Sequence, residues 1–399
     1  MNSRKAEKVA SVIEGVLLFC IIRPYFLWTF LDNNYLRLVI VFFSCILFFF
    51  FSSRLEKKEK MMMIFYIFIY IIYVLSNINW IIVFSMFLFL VPFARDSFYQ
   101  KTFDSFYNIY CVIVGLGVLV WITHLLGFLE PYAIIEQNSE FRENPYDVYP
   151  LVICERDMFA IRFGACFDEP GVVGTMSVLL LMARSFNIKD WRSWVVFLSG
   201  VFSLSFFFFG ILGFYLVYYS IFVKKNLFII LLPSLLVVFA YLKTKDDPTM
   251  DYLVWERFEL DKTEMKFSRD NRMTDEADRY YDKIRWTSEY WFGVNDWEKY
   301  WNLAAGGSSY KNVVMRNGML FFLLYTLWFF LYASQKIRNR KLFYLFCIMY
   351  LAIVYQRTNL YDPVYTFLFV FISRFSYGIS KMDDKELFLI RQRKDNSLL

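Results

Sequence analysis

Apolar and polar residues along this chain fall into blocks. Apolar runs of about 17 to 25 residues recur from one end to the other, each long enough to cross roughly 30 Å of hydrocarbon, where a run closes its own peptide hydrogen bonds only as a helix. Bounded by charges and turn residues, about twelve spans follow: 9–29, 36–53, 61–77, 79–94, 107–129, 171–187, 193–206, 208–223, 226–242, 315–334, 341–356 and 359–377. Trp191 to Val223 is too long for one simple span, so a tight turn around Ser203 to Gly210 divides it. A single tilted helix there would invert everything downstream. The expected fold class is therefore an all-α integral membrane protein, a polytopic bundle forming one membrane domain over residues 1–399.

Composition agrees with that pattern. Of 399 residues, 58% are hydrophobic and 22% aromatic, more apolar surface than one soluble core of this size can hide. The first run follows Arg4, Lys5 and Lys8 without a small-residue cleavage site, and reads as a retained helix. The net charge of +6 matters less than its placement. One set of short connections collects Arg54 to Lys60, Arg95, Lys101, Arg184 to Arg192, Lys224, Lys225 and Lys336 to Lys341, together with both termini, whereas the opposite set holds only Arg23, Arg37 and Arg357. By the positive-inside rule the first set is cytoplasmic, and both termini with it. The chain is thus expected to cross a membrane many times.

Two long hydrophilic segments then lie outside, 130–170 and 243–316, both expected to contain short amphipathic helices, and residues 378–399 form a charged cytoplasmic tail. The first outer loop carries nine carboxylates against Arg142, Arg156 and Arg162, and the second fifteen acidic against thirteen basic residues. The excess positive charge is thus a cytoplasmic rim and gives no reason to expect nucleic acid as a partner. Tyr252, Trp255, Tyr280, Tyr281, Trp286, Tyr290, Trp291, Trp297, Tyr300 and Trp301 make the second loop too aromatic for disorder. A single histidine, His124, excludes a multi-histidine metal centre, and the six cysteines show no CxxC spacing. Cys154 and Cys166 share the first outer loop and could pair.

The first chemistry-bearing stretch runs from Arg162 through Gly164, Cys166 and Asp168-Glu169-Pro170-Gly171 directly into an apolar span. Two readings of Glu169 stay open: a carboxylate at a helix start, favoured by the helix dipole, or a base that deprotonates a hydroxyl beside an anion held by Arg162. In the second loop Met273, Ala277, Tyr280 and Ile284 recur at three and four residues and predict a short amphipathic helix. Arg272 and Arg279 fall on one stripe of it, with Arg269 about 60° away, so the helix either presents solvated ion pairs or a guanidinium fork suited to a diphosphate. Tyr290 to Asn295 and Gly306 to Asn312, which includes Ser309 and Tyr310, combine small polar and aromatic types that bind sugars or anchor at a membrane interface. Thr123 and His124 lie near the outer end of the fifth span and either line the site or pack.

The order of Arg162-x-Gly164-x-x-Phe167-x-Glu169-Pro170-x-x-x-Gly174, Asn271-Arg272, Phe292-Gly293, Ser309-Tyr310 and Gly318 on this topology resembles the bacterial O-antigen polymerases of the Wzy type, within the O-antigen ligase and polymerase superfamily. The resemblance covers the topology of nearly the whole chain. It implies a metal-independent glycosyltransferase, without cofactor, that joins undecaprenyl-diphosphate-linked oligosaccharide units on the outer leaflet, the lipid-linked oligosaccharide serving as donor and acceptor. Glu169, Arg162 and Arg272 would then be catalytic. Arg269, Arg279, Tyr281, Ser309 and Tyr310 would hold diphosphate or sugar. Membrane lipids and a chain-length regulator protein would be its partners. The ligase branch usually bears a functional histidine in its second large loop, and none is present here, which favours polymerase over ligase. A flippase would carry internal repeats and charges near the bilayer midplane, and neither is found.

Overall fold

The computed structural model describes residues 3–27, 34–52, 55–76, 86–139, 142–156, 161–187, 189–224, 241–248, 251, 255–256, 260–261, 266–267, 273–294, 310–356 and 363–377. The expected span 226–242, the first part of 79–94 and the tail 378–399 lie almost wholly outside them.

The described chain is mostly helical. Helices α1 (Ser3–Ile21), α2 (Asn34–Phe50), α3 (Lys57–Ser76) and α4 (Asp96–Leu125) precede a three-stranded antiparallel sheet, β1 (Ala133–Ser139), β2 (Arg142–Tyr149) and β3 (Val152–Glu155). There follow α5 (Pro170–Ala183), α6 (Trp191–Phe202) and α7 (Phe206–Tyr218), then a two-stranded ribbon, β4 (Leu260–Asp261) and β5 (Lys266–Phe267). The remaining helices are α8 (Asp275–Ile284), α9 (Ser288–Phe292), α10 (Tyr310–Asn317), α11 (Met319–Lys336), α12 (Arg340–Gln356) and α13 (Pro363–Phe371).

Among the described residues, two helices are long and apolar enough to cross a membrane, Asp96–Leu125 and Phe206–Val223, or three if the bent pair α10 and α11 is one span. Val39–Phe50, Pro170–Ala183 and Pro363–Ser376 are apolar but shorter. Helices α5 and α13 are buried nearly all round, as a helix with no polar face must be. The helices about them turn apolar rows outward: Val9, Val12, Ile13 and Val16 on α1; Met61, Ile64, Phe68 and Ile71 on α3; Val112, Leu116 and Leu119 on α4; Leu323, Leu327 and Leu331 on α11. A soluble helix hides such rows, so these fit hydrocarbon surroundings.

Helix α4 begins eleven residues before the expected span at 107, and at 30 residues it is about 45 Å long. Its first turns are tied to neighbours by ion pairs: Lys101 to Glu7 of α1 at 2.7 Å, Asp104 to Arg184 beyond α5, and Asp96 to Arg374 beyond α13. Lys336 of α11 likewise meets Glu59 of α3 at 2.9 Å. Much of the basic rim legible in the sequence is thus a set of bonds between helices. In the same first turns of α4, Tyr99 stacks on Phe367 at 4.7 Å and Phe103 on Phe371 at 3.8 Å, holding α13 at the centre.

The first outer loop departs from the expected short helices. Its residues pair as strands, with Tyr146, Val148, Val152 and Ile153 buried and Val152 lying beside Gly117 of α4. Trp191 to Val223 divides as expected, but the break is only Ser203 to Ser205. Close approach replaces a side chain at Gly174 of α5, where an added Cβ would stand 2.6 Å from the Ser205 Cβ. The expected span at 315 begins instead at Met319. Gly318, at φ 84, turns the chain through 116° between α10 and α11, and an added Cβ would meet the Trp291 carbonyl oxygen at 2.3 Å.

Gly318→Ala should therefore destabilise the protein by about 1–3 kcal/mol through overpacking against backbone. Gly210→Ala, in open space on α7, should be neutral or mildly stabilising. Thermal unfolding in detergent measures both, and equal midpoints would contradict the close contact at Gly318.

Candidate functional site

The polar stretch from Arg162 to Gly171 is sunk into the helical body. Helix α5 has 14 residues, roughly 21 Å, so the apolar segment expected to cross at 171–187 is too short to do so alone. The loop occupies the missing length. Phe163 packs on Trp121 near the end of α4, while Phe167 reaches Tyr110 at that helix's midpoint and Phe19 of α1. Phe163, Ala165, Cys166 and Phe167 are all buried.

Irregular backbone at such depth needs partners for its peptide groups. The Phe163 N–H donates to the Phe202 carbonyl at 2.9 Å, the Ile153 N–H of β3 to the Ala165 carbonyl at 2.9 Å, and the Tyr25 N–H to the Cys166 carbonyl at 2.7 Å. The Phe167 N–H donates to Gly164 at 3.1 Å, closing a turn through Ala165 at φ 51. Three separate elements therefore clamp one loop: the α6–α7 turn, the sheet and the segment after α1.

These clamps aim the polar side chains. Arg162 donates its Nε–H to the Ser203 carbonyl at 3.1 Å, which fixes the guanidinium at the α6–α7 turn. Around it opens a small cleft, with room for about one water molecule, lined by Arg162, Glu155, Asp168, Gly164 and Tyr146, with Ile153, Cys154, Phe167 and Pro170 as its apolar wall. A cation and two carboxylates thus face one open space, an arrangement able to hold an anion and accept a proton.

Glu169 stands beside this cleft at the α5 N-cap, with extended backbone (φ −130, ψ 133), and its side chain makes no capping hydrogen bond. Pro170 at the first helical position removes one N–H that would need a cap, and the Glu169 carbonyl accepts from Val172 at 2.9 Å. The helix start is therefore built by backbone and proline, and the carboxylate serves it only through the dipole. Glu155 and Asp168 are the carboxylates that sequence reasoning passed over. Asp168 was visible in the motif beside Glu169, while Glu155 reaches the site through β3 pairing, its Cα opposite Tyr146.

The other expected site residues lie elsewhere. Helix α8 forms as predicted, with Thr274 accepting from the Ala277 N–H at 3.2 Å and Ala277, Tyr280 and Ile284 buried. Arg279 is exposed on its outer face. Tyr281 is buried, its ring 6.0 Å from Tyr290 and 6.3 Å from Tyr310, and Tyr310 stacks on Tyr355 at 5.6 Å. Both rings bind the second loop to α10 and α12, within a small core separate from the main one. Lys311 pairs with Asp278 at 2.7 Å across the same junction. Arg269, Arg272 and Ser309 lie outside the described residues. Thr123 bonds the Val120 carbonyl, and His124 packs 4.4 Å from the Tyr149 ring, so neither lines the cleft.

Cys154 and Cys166 are free, buried thiols. Burial pushes each up to about 12, Asp147 adding to the effect at Cys154. Almost no thiolate exists at pH 8, so maleimide should leave both unlabelled in the folded protein while labelling them in denaturant. The same shifts carry a sign: between the ordinary value of 9 and about 12 the unfolded chain releases protons that the folded one retains, so stability falls as pH rises through that window. Rapid labelling of the folded protein at pH 8 would show the loop to be open. No family model matches the chain, and curated proteins and solved structures likewise give no match.

Proposed function

We propose that this chain is a polysaccharide polymerase of the Wzy type, a twelve-span protein of the bacterial inner membrane with both termini inside, joining undecaprenyl-diphosphate-linked repeat units on the outer leaflet. The observation that carries the reading is the cleft in which Arg162 faces Asp168 and Glu155, with Glu169 at its edge, at the blunt end of a shortened apolar helix. In this reading a lipid-anchored diphosphate meets the acceptor hydroxyl beside that cleft.

In this reading a carboxylate takes the proton from the acceptor hydroxyl as its oxygen bonds the donor's anomeric carbon. The bond from that carbon to the diphosphate oxygen breaks, and undecaprenyl diphosphate leaves as an anion. Arg162 stabilises the charge developing on it, a contribution that grows in the transition state and so speeds the reaction. Glu169 is the proposed base. Arg272, with Arg269 and Arg279, would take the second carrier's diphosphate.

Full-length protein in nanodiscs, given a synthetic undecaprenyl-diphosphate repeat unit, should produce a ladder of products. Glu169→Gln should slow it by about 100-fold or more in protein that still folds in the nanodisc. Undiminished polymer from Glu169→Gln would transfer the base role to Asp168 or Glu155, and no ladder from folded wild type would remove the polymerase reading. Cells lacking the protein should retain one repeat unit on the lipid core, whereas loss of a ligase would leave none.

A further inference from the structure

The turn joining α8 to α9 has the geometry of a type II turn, with Arg285 at φ −51 and ψ 126, Trp286 at φ 70, and the Thr287 N–H bonded to the Ile284 carbonyl at 2.9 Å. The third position of such a turn takes glycine or asparagine, because only they hold positive φ at little cost. A tryptophan there is strained, and the strain has a visible product. The indole is carried out of the small core formed by Tyr280, Tyr281 and Tyr290 and stands 68% exposed. It is nevertheless not loose, since its ring lies 5.7 Å from Tyr290 and 6.2 Å from Trp291, and the Trp291 backbone is wedged against Gly318. Strained residues persist where surrounding structure over-determines them, and ligand clamps are among the places where they cluster.

The neighbours state what ligand. Arg285 and Ser288 are exposed donors within two residues, Asp282 is an exposed acceptor one helical turn before, and Glu289, which already accepts the Tyr280 hydroxyl at 3.0 Å, follows one turn after. A flat apolar ring with donors and acceptors close to it along the chain matches a pyranose, which presents C–H groups on one face and hydroxyls around its edge. Carboxylates on both sides suit immersion in lipid headgroups poorly. We propose that Trp286 is the platform of a carbohydrate-binding subsite, stacking one pyranose of a glycan whose hydroxyls are bonded by Arg285, Asp282 and Glu289. Only the role of that glycan, as the growing chain or its acceptor, rests on the polymerase reading.

The test uses the full chain in nanodiscs and a set of synthetic tri- and tetrasaccharides of hexoses and N-acetylhexosamines, with binding followed by saturation-transfer NMR. At least one should receive saturation at ring C–H positions from the wild type. Trp286→Gly, which suits the turn, should keep or raise the thermal midpoint yet bind at least tenfold more weakly, while Trp286→Tyr should stay within about threefold of wild type. Absence of binding to wild type, equal binding by Trp286→Gly, or a lowered midpoint in that variant would overturn the proposal. So would fluorescence lost in Trp286→Phe that brominated lipid quenches and the bound saccharide leaves unchanged. Binding requires neither carrier nor turnover, so a saccharide bound without any product ladder keeps the platform and removes the polymerase, and a ladder with no Trp286-dependent binding does the reverse.

Discussion

A peptide group placed in a dry interior without a partner costs about 1–3 kcal/mol, and this constraint governs how the polar decapeptide can enter the helical body. The segment from Phe163 to Phe167 has no helix or ladder of its own. Its groups are matched instead by Phe202, Ile153, Tyr25 and Gly164. The three-stranded sheet, the tight α6–α7 turn and the segment following α1 can be understood as the fixtures that this loop requires. The same fixtures make the cleft rigid, because a guanidinium held through Nε at Ser203 keeps its other nitrogens pointed one way without help from a ligand.

The sequence was most legible where one physical demand dominated. Most long apolar runs fall on helices where the chain is described, although two or three of these helices are long enough to cross a membrane and Met86–Phe93 is a 3₁₀ stretch, and the three-and-four spacing of Ala277, Tyr280 and Ile284 located α8 and its buried face. It was least legible where demands compete. Apolar length alone made 171–187 a full crossing, although the polar residues just before it are drawn inward by tertiary partners that local sequence cannot show. The strands of the first loop were missed for a related reason: their pattern is short, and their stability depends on burial of residues such as Val148 and Val152 in tertiary packing.

Residue roles show the same division. Arg162 and Glu169 could be singled out because charge beside an apolar run is conspicuous. Glu155 could not, since only strand pairing carries it to the cleft. Tyr281 and Tyr310 were conspicuous for their type, yet aromatic residues serve packing as readily as stacking, and the ring contacts place them in the small core between α8, α10 and α12. Trp286 differs from them in one backbone angle, which no sequence pattern reports.

The brevity of α5 also bears on how the protein is made. Thirteen or so apolar residues are a weak signal for insertion, and the carbonyl of Ala183 at the end of α5 is capped by the hydroxyl of Ser376, just beyond α13. Helix α5 thus gains its final lodging only after the ribosome has completed a segment far downstream. The cleft at its other end has no such wait: Tyr25, Ile153 and Phe202, which clamp the polar loop, are all made by the time α6 is complete, so the loop can seat while the far end of α5 is still unfinished.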